Sequence, residues 1–251
     1  MMRSHSRRTT VARRFRGRLG GEDGVALIVA MMAVLLLSAL GFALVMTTST
    51  ESMIASNYRS GEEALYAADA ALERSMDDLL TVADWNTLLT GATRSAFIDG
   101  PPSGPRTLSD GTTFRLEAIV NMANCGKGAS CSPADIIGNA TGDRPWEADN
   151  PVWQLYAYGP INDLVPSSTI HSPHYVVVLL GDDPSENDGD PAKDSVDPLH
   201  GGGVLALRAE AFGPRGVHKV IEMTVARNDR PPHDSGTGPD GVRILSWRHV
   251  R

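Results

Sequence analysis

The chain has 251 residues, 41% of them apolar, and a formal charge of −7. That length leaves room for one core of ordinary size beside a membrane segment. The charge is lopsided. Residues 1–24 carry seven arginines against two acids, and the remainder carries 16 basic and 28 acidic residues. An acidic body lacks the basic face that phosphate contacts need, which argues against nucleic acid as a partner.

Residues 1–24 read as a basic leader. Arg-Arg occurs twice, and Ala12-Arg13-Arg14-Phe15 faintly suggests a twin-arginine export signal. The apolar run that follows is too long and too hydrophobic for one. From Val25 to Met46 there are 22 residues without a charge; Ser38 is the one polar side chain and Gly41 the one glycine. A bilayer core takes about 20 such residues as a helix. In lipid only a helix or a closed barrel satisfies its own backbone. A buried core helix and a cleaved secretory signal are the alternatives, and the length of the run argues against both. Arginine-rich flanks stay in the cytoplasm, so the chain is expected to cross once, N-terminus inside, with the acidic body exported.

Beyond Met46 no proline interrupts the chain before Gly100. Apolar or small residues recur at Ile54, Tyr58, Gly61, Leu65, Ala68, Leu72, Ser75 and Leu79. Alternating steps of four and three make one face of an amphipathic helix. Arg59, Glu62, Glu63, Asp69, Glu73, Arg74, Asp77 and Asp78 occupy the other face. A single helix over about 25–80 would be ~80 Å long, far more than a bilayer, so about half of it should project and dock its face on the exported domain. The expected divisions are a leader at 1–24, a helical segment at 25–90 (25–46 transmembrane, 47–80 amphipathic) and an exported β-rich domain at 91–251.

Residues 91–111 are turn-rich connectors. Strand patterns follow at Thr112–Asn121, Val152–Tyr158, His174–Leu180, Gly203–Phe212, Val217–Ala226 and Val242–His249. Gly213-Pro214-Arg215-Gly216 reads as the turn of a hairpin. Long loops are expected at 122–150, 159–173, 181–202 and 227–241. One long helix before an antiparallel sheet is an α+β layout.

Chemistry is sparse. Cys125 and Cys131 are too few ligands for structural zinc; in an oxidising compartment they read as one short-loop disulfide, with two free thiols as the alternative. The loop from Asp182 to Asp197 is dense in oxygen ligands. Asp183, Ser185 and Asn187 mimic the opening of a calcium loop, but Asp188 stands where the glycine belongs and no glutamate closes it. A solvated, mobile loop is the expectation. His171, His174 and His200 read as surface histidines rather than a metal site. There is no Gly-x-Ser-x-Gly elbow, and Gly201-Gly202-Gly203 lacks the Lys-Ser/Thr of a phosphate loop. No catalytic residue, metal or cofactor is expected.

The segment Gly24-Val25-Ala26-Leu27-Ile28-Val29-Ala30 opens the apolar run. With Met53-Ile54-Ala55-Ser56-Asn57-Tyr58-Arg59 and Ala67-Ala68-Asp69-Ala70-Ala71-Leu72 it resembles the N-terminal region of PilX-type minor pilins of type IV pili. Arg243-Ile244-Leu245-Ser246-Trp247-Arg248 looks like the tail of such proteins. The resemblance implies a pilin-like fold and cleavage after Gly24 by a prepilin peptidase, with Val25 as the methylated first residue. It also implies a helix held first in the bacterial inner membrane and later packed among pilin helices in a surface pilus. Implied partners are major and minor pilins, the peptidase, the inner-membrane assembly platform and a tip adhesin. Major pilins carry glutamate at the fifth mature position; here it is Val29, which favours a tip or priming role over a shaft role. A minor pseudopilin of type II secretion and a permanently anchored exported binding protein are the alternative readings.

Overall fold

The computed structural model describes residues 23–138, 151–164, 171–186, 189–194, 202–227 and 241–250. The chain divides into two compact units, residues 1–55 and 56–251. Helix α1, Asp23–Leu79, contributes to both. Its first stretch is the one helix, among the described residues, long and apolar enough to cross a membrane.

The second unit is built on an antiparallel meander. Strands β3 (Gln154–Pro160), β4 (Tyr175–Asp182), β5 (Val204–Gly213), β6 (Val217–Arg227) and β7 (Val242–Val250) lie side by side in chain order. Each of the four pairings is antiparallel. The fold is therefore α+β, a long N-terminal helix with an antiparallel sheet domain. The expected hairpin is present: β5 and β6 pair from Val204↔Ala226 to Gly213↔Val217. Its turn, Pro214–Gly216, takes the left-handed conformation at Arg215 (φ 60°) and Gly216 (φ 77°). The Arg215 backbone N–H is held there by Asp110 Oδ2 at 2.7 Å.

Strand β4 is buried at every position, so both faces of the sheet are covered there. That is why Tyr175–Leu180 reads as an unbroken apolar run rather than an alternating one. On one face, Val176, Val178, Leu180, Leu205, Leu207, Ala209, Ile221 and Met223 pack against Ala64, Ala67, Ala68, Ala71, Leu72 and Leu79 of α1. Four alanines on the helix let its backbone approach the sheet closely.

The opposite face carries Trp153, Leu155, Tyr158, Tyr175, Val177 and Leu179 beneath a small cover. That cover is made of β1 (Pro105–Thr107), β2 (Thr113–Arg115) and helix α3 (Leu116–Cys125). Here the strand expected over Thr112–Asn121 is corrected. Only Thr113–Arg115 is extended, and the chain turns helical at Leu116. Leu116 and Ile119 share a buried face three residues apart, and Gly126 at φ 69° ends the helix in the left-handed cap conformation. The loop expected from 122 on holds the end of α3 and a short helix α4, Pro133–Gly138. Two further short helices, α2 (Asn86–Leu89) and α5 (Ile161–Leu164), complete the described elements.

Candidate functional site

From Gly24 to Arg59 every side chain of α1 is exposed. Burial among the described residues does not account for its apolar surface. Four hydroxyls at and beyond the apolar run are matched to an apolar medium. The hydroxyls of Ser38, Thr47, Thr48 and Thr50 each donate to the carbonyl four residues back, at 2.8–3.0 Å. Such back-bonds leave no hydroxyl proton seeking water. Val29, the fifth residue after Gly24, is exposed and apolar, so no carboxylate meets the surrounding medium there.

Gly24 lies in the helix with nothing within 4 Å of where a Cβ would sit. A helical glycine costs roughly 1 kcal/mol against alanine. No contact in the fold requires this one, and the same holds for Val25, which is 60% exposed. The structure brings neither residue to any other predicted site residue.

The amphipathic face is only partly buried. Ala68, Leu72, Ser75 and Leu79 lie in the core, and Gly61 and Leu65 are half-buried. Ile54 and Tyr58, expected on the docked face, are instead exposed. The period of the pattern is right, but the sheet covers only its C-terminal part.

Cys125 and Cys131 are joined, S–S 1.99 Å, with Cα atoms 6.0 Å apart. The bond ties the end of α3 to the start of the α4 segment. Asn124 beside it is buried and bonded twice to Trp153, through Nδ2 to the carbonyl at 3.0 Å and through Oδ1 to the N–H at 2.7 Å. The disulfide thus closes a loop next to a point where α3 is pinned to the sheet.

The solvated acidic loop is corrected. Asp182, Asp183, Glu186 and Asp194 are all buried. Asp183 Oδ1 accepts from both the N–H and the Oγ of Ser185 at 3.1 Å, and Asp194 Oδ1 accepts from the Gly203 N–H at 2.7 Å. Burial first, and then the charge of Glu186, push the Asp182 carboxyl up to about 9. Both causes favour its protonated form. Among the described residues no group of three or more His, Cys, Asp or Glu is placed to hold a metal. Asn187, Asp188 and Asp197 lie outside the described residues.

The surface-histidine reading is also corrected at His174, which is 1% exposed; His171 is exposed, and His200 lies outside the described residues. Its Nδ1 is 2.8 Å from Ser172 Oγ. Burial holds its pKa below the usual histidine value, against the charge of Glu63.

One polar cluster had no signal in the sequence. On the sheet face away from α1, Arg208 donates to Glu210 (Nε, 2.8 Å) and to Glu222 (Nη1, 2.6 Å). His218 Nε2 lies 2.8 Å from Glu210 Oε2, and Arg248 is paired with Glu222. Burial alone would raise Glu210; His218 and Arg208 outweigh it and hold the carboxyl below its ordinary value. The His218 ring stacks on Phe212, which stacks on Phe114. Each acid here already has a cation, so the cluster is a closed brace across β5, β6 and β7. Only the register of the strands brings these residues together, which is why sequence order conceals them.

Comparison with known proteins bears on the helix. No curated protein and no solved structure matches the chain. Residues 23–73 match the family described as PilX N-terminal, a segment that begins one residue before Gly24 and ends inside the part of α1 that packs on the sheet. Over those residues the chain is similar to the PilX N-terminal family of pilus-related proteins.

Proposed function

We propose that this chain is a priming or tip subunit in type IV pilus assembly, a structural and non-enzymatic part. The observation that carries the reading is the bare apolar half of α1. Its exposed surface suits lipid and a bundle of like helices equally, so the subunit could pass from membrane to filament without wetting it. Val29 supports the terminal position. A subunit at the tip has no neighbour beyond it whose terminal amine needs a buried carboxylate, and a carboxylate in lipid would be costly.

In this reading residues 1–24 are a cytoplasmic leader, and a prepilin peptidase cuts after Gly24. Val25 becomes the methylated N-terminus. That a Cβ at Gly24 would meet nothing within 4 Å, and that Val25 is 60% exposed, fits a site kept for an enzyme rather than for packing. The chain would sit in the inner membrane as a single span and then move to the surface pilus. There it would contact major and minor pilins, the assembly platform and a tip adhesin. The Cys125–Cys131 bond would form on export.

The test is the mass of the mature N-terminus, taken from membranes and from sheared surface filaments. A chain starting at N-methyl-Val25 in the sheared fraction is expected. Processed chain confined to the membrane in secreting cells would point to a pseudopilin. An intact leader found only in membranes would overturn the reading in favour of a permanent anchor.

A further inference from the structure

The two edges of the meander are treated differently. At the β3 edge, residues 95–99 lie along the strand. Ser95 N–H donates to the Tyr156 carbonyl (3.2 Å), Tyr158 N–H to the Phe97 carbonyl (3.0 Å) and Asp99 N–H to the Tyr158 carbonyl (2.9 Å). At the other edge, β7 pairs with β6 along its whole length, and no described residue pairs with its outer side. Seven of its nine residues are exposed, among them Ile244 (51%), Leu245 (48%) and Trp247 (48%).

A long, apolar, unpaired edge is a template for another strand, and proteins usually blunt one with proline, lysine or a cover. Strand β7 contains no proline and no lysine. Its charge is one-signed. It carries Arg243 and Arg248, is followed by Arg251, and has no acid. Arg248 is engaged by Glu222 of β6, whereas Arg243 stands exposed near the start of the strand.

We propose that β7 is a strand-addition site for an extended, acidic segment of a different protein. The charge decides between the two obvious occupants. A second copy of this chain, paired antiparallel on β7, would set two purely basic strands side by side, and like charges across a ladder are destabilising. A strand alternating carboxylates with β-branched residues offers Arg243 a partner and gives Ile244 and Leu245 an apolar face to meet, while the Trp247 indole is held by Asp69 of α1 at 3.2 Å. Backbone bonds would supply the attachment and the carboxylates the choice of partner. The inference stands apart from the pilin reading, since it uses only the sheet.

The test is hydrogen–deuterium exchange of the full chain in detergent micelles with three synthetic peptides. One alternates glutamate and valine, one alternates lysine and valine, and one is the glutamate peptide interrupted by prolines. With the first at ten times its Kd, exchange over residues 242–250 should slow about ten-fold. The other two should leave it unchanged, and Arg243→Glu should reverse the preference between glutamate and lysine peptides. Equal protection by all three peptides, or by none, overturns the proposal. So does a free chain whose β7 amides already exchange as slowly as those of β5, because its own residues would then cover the edge. Protection that grows with chain concentration in the absence of peptide overturns it in favour of a second copy.

Discussion

Replacing Asp182 by asparagine should stabilise the sheet-bearing unit, and more so as pH rises. Asp182 is 2% exposed at the end of β4, and its Oδ1 accepts the Asp183 N–H at 2.9 Å, a bond asparagine can keep. Burial and the Glu186 charge raise its carboxyl from 3.8 to about 9. A group whose folded pKa lies above its unfolded one favours the fold most below the unfolded value, and that contribution drains away as pH rises toward the folded value. Between pH 7 and 8.5 the folded chain holds a proton that the unfolded chain has released. Each pH unit then costs about 1.4 kcal/mol, or roughly 2 kcal/mol over the window. Neutral asparagine removes that slope. Glu186→Gln removes the second cause and should move the window downward. His174 does not interfere. Its folded pKa is depressed, so its contribution is complete above about 6.5 and is lost only as pH falls below that. The assay is urea unfolding of the full chain in micelles, followed by tryptophan fluorescence at pH 7.0 and 8.5. Equal wild-type stability at the two pH values would refute the reasoning, as would parallel losses in wild type and Asp182→Asn.

Two further substitutions probe the packing. Leu72→Ala empties a fully buried position between α1 and the sheet and should cost about 3 kcal/mol in the same urea assay; a loss below roughly 1 kcal/mol would mean the helix is not docked as described. Arg208→Met takes the shared cation from Glu210 and Glu222, leaving Glu210, at 4% exposure, with His218 alone and Glu222 with Arg248. It should cost about 3–5 kcal/mol at pH 7 and less in acid, where the carboxylates are neutral; a cost independent of pH would show that lost packing rather than stranded charge is responsible.

What could be read from the sequence followed from period. The apolar run, the face of α1 and the β5–β6 hairpin all announce themselves through spacing and turn residues. Period also misled. Phe114, Leu116 and Val120 fall on alternate positions and suggest a strand, whereas Leu116 and Ile119 three apart, with Gly126 beyond, are the helical signal that prevails. Composition misled over Asp182–Asp194. A run of acids predicts solvent, yet Ser185 and Gly203 supply backbone and hydroxyl donors, and Asp182, Asp183, Glu186 and Asp194 are buried while Asp190 is exposed. The donors' positions are not encoded in spacing. The Arg208 brace was illegible for a different reason, because its members lie on three strands and meet only through register.

The same limit explains the N-terminal helix. The 3.6-residue period runs unbroken from Ile54 to Leu79, and it marks an apolar face without saying what covers it. Side-chain size carries the missing information. Where the sheet packs, the face is dominated by alanine, at 64, 67, 68 and 71. At Met53, Ile54 and Tyr58 it is large and bare. Small residues are what close backbone approach within one protein requires, whereas large exposed ones offer knobs to a separate surface. A face that changes from large to small along one helix is thus one surface with two occupants. The chain's own sheet is the second; in the proposed filament, neighbouring helices would be the first.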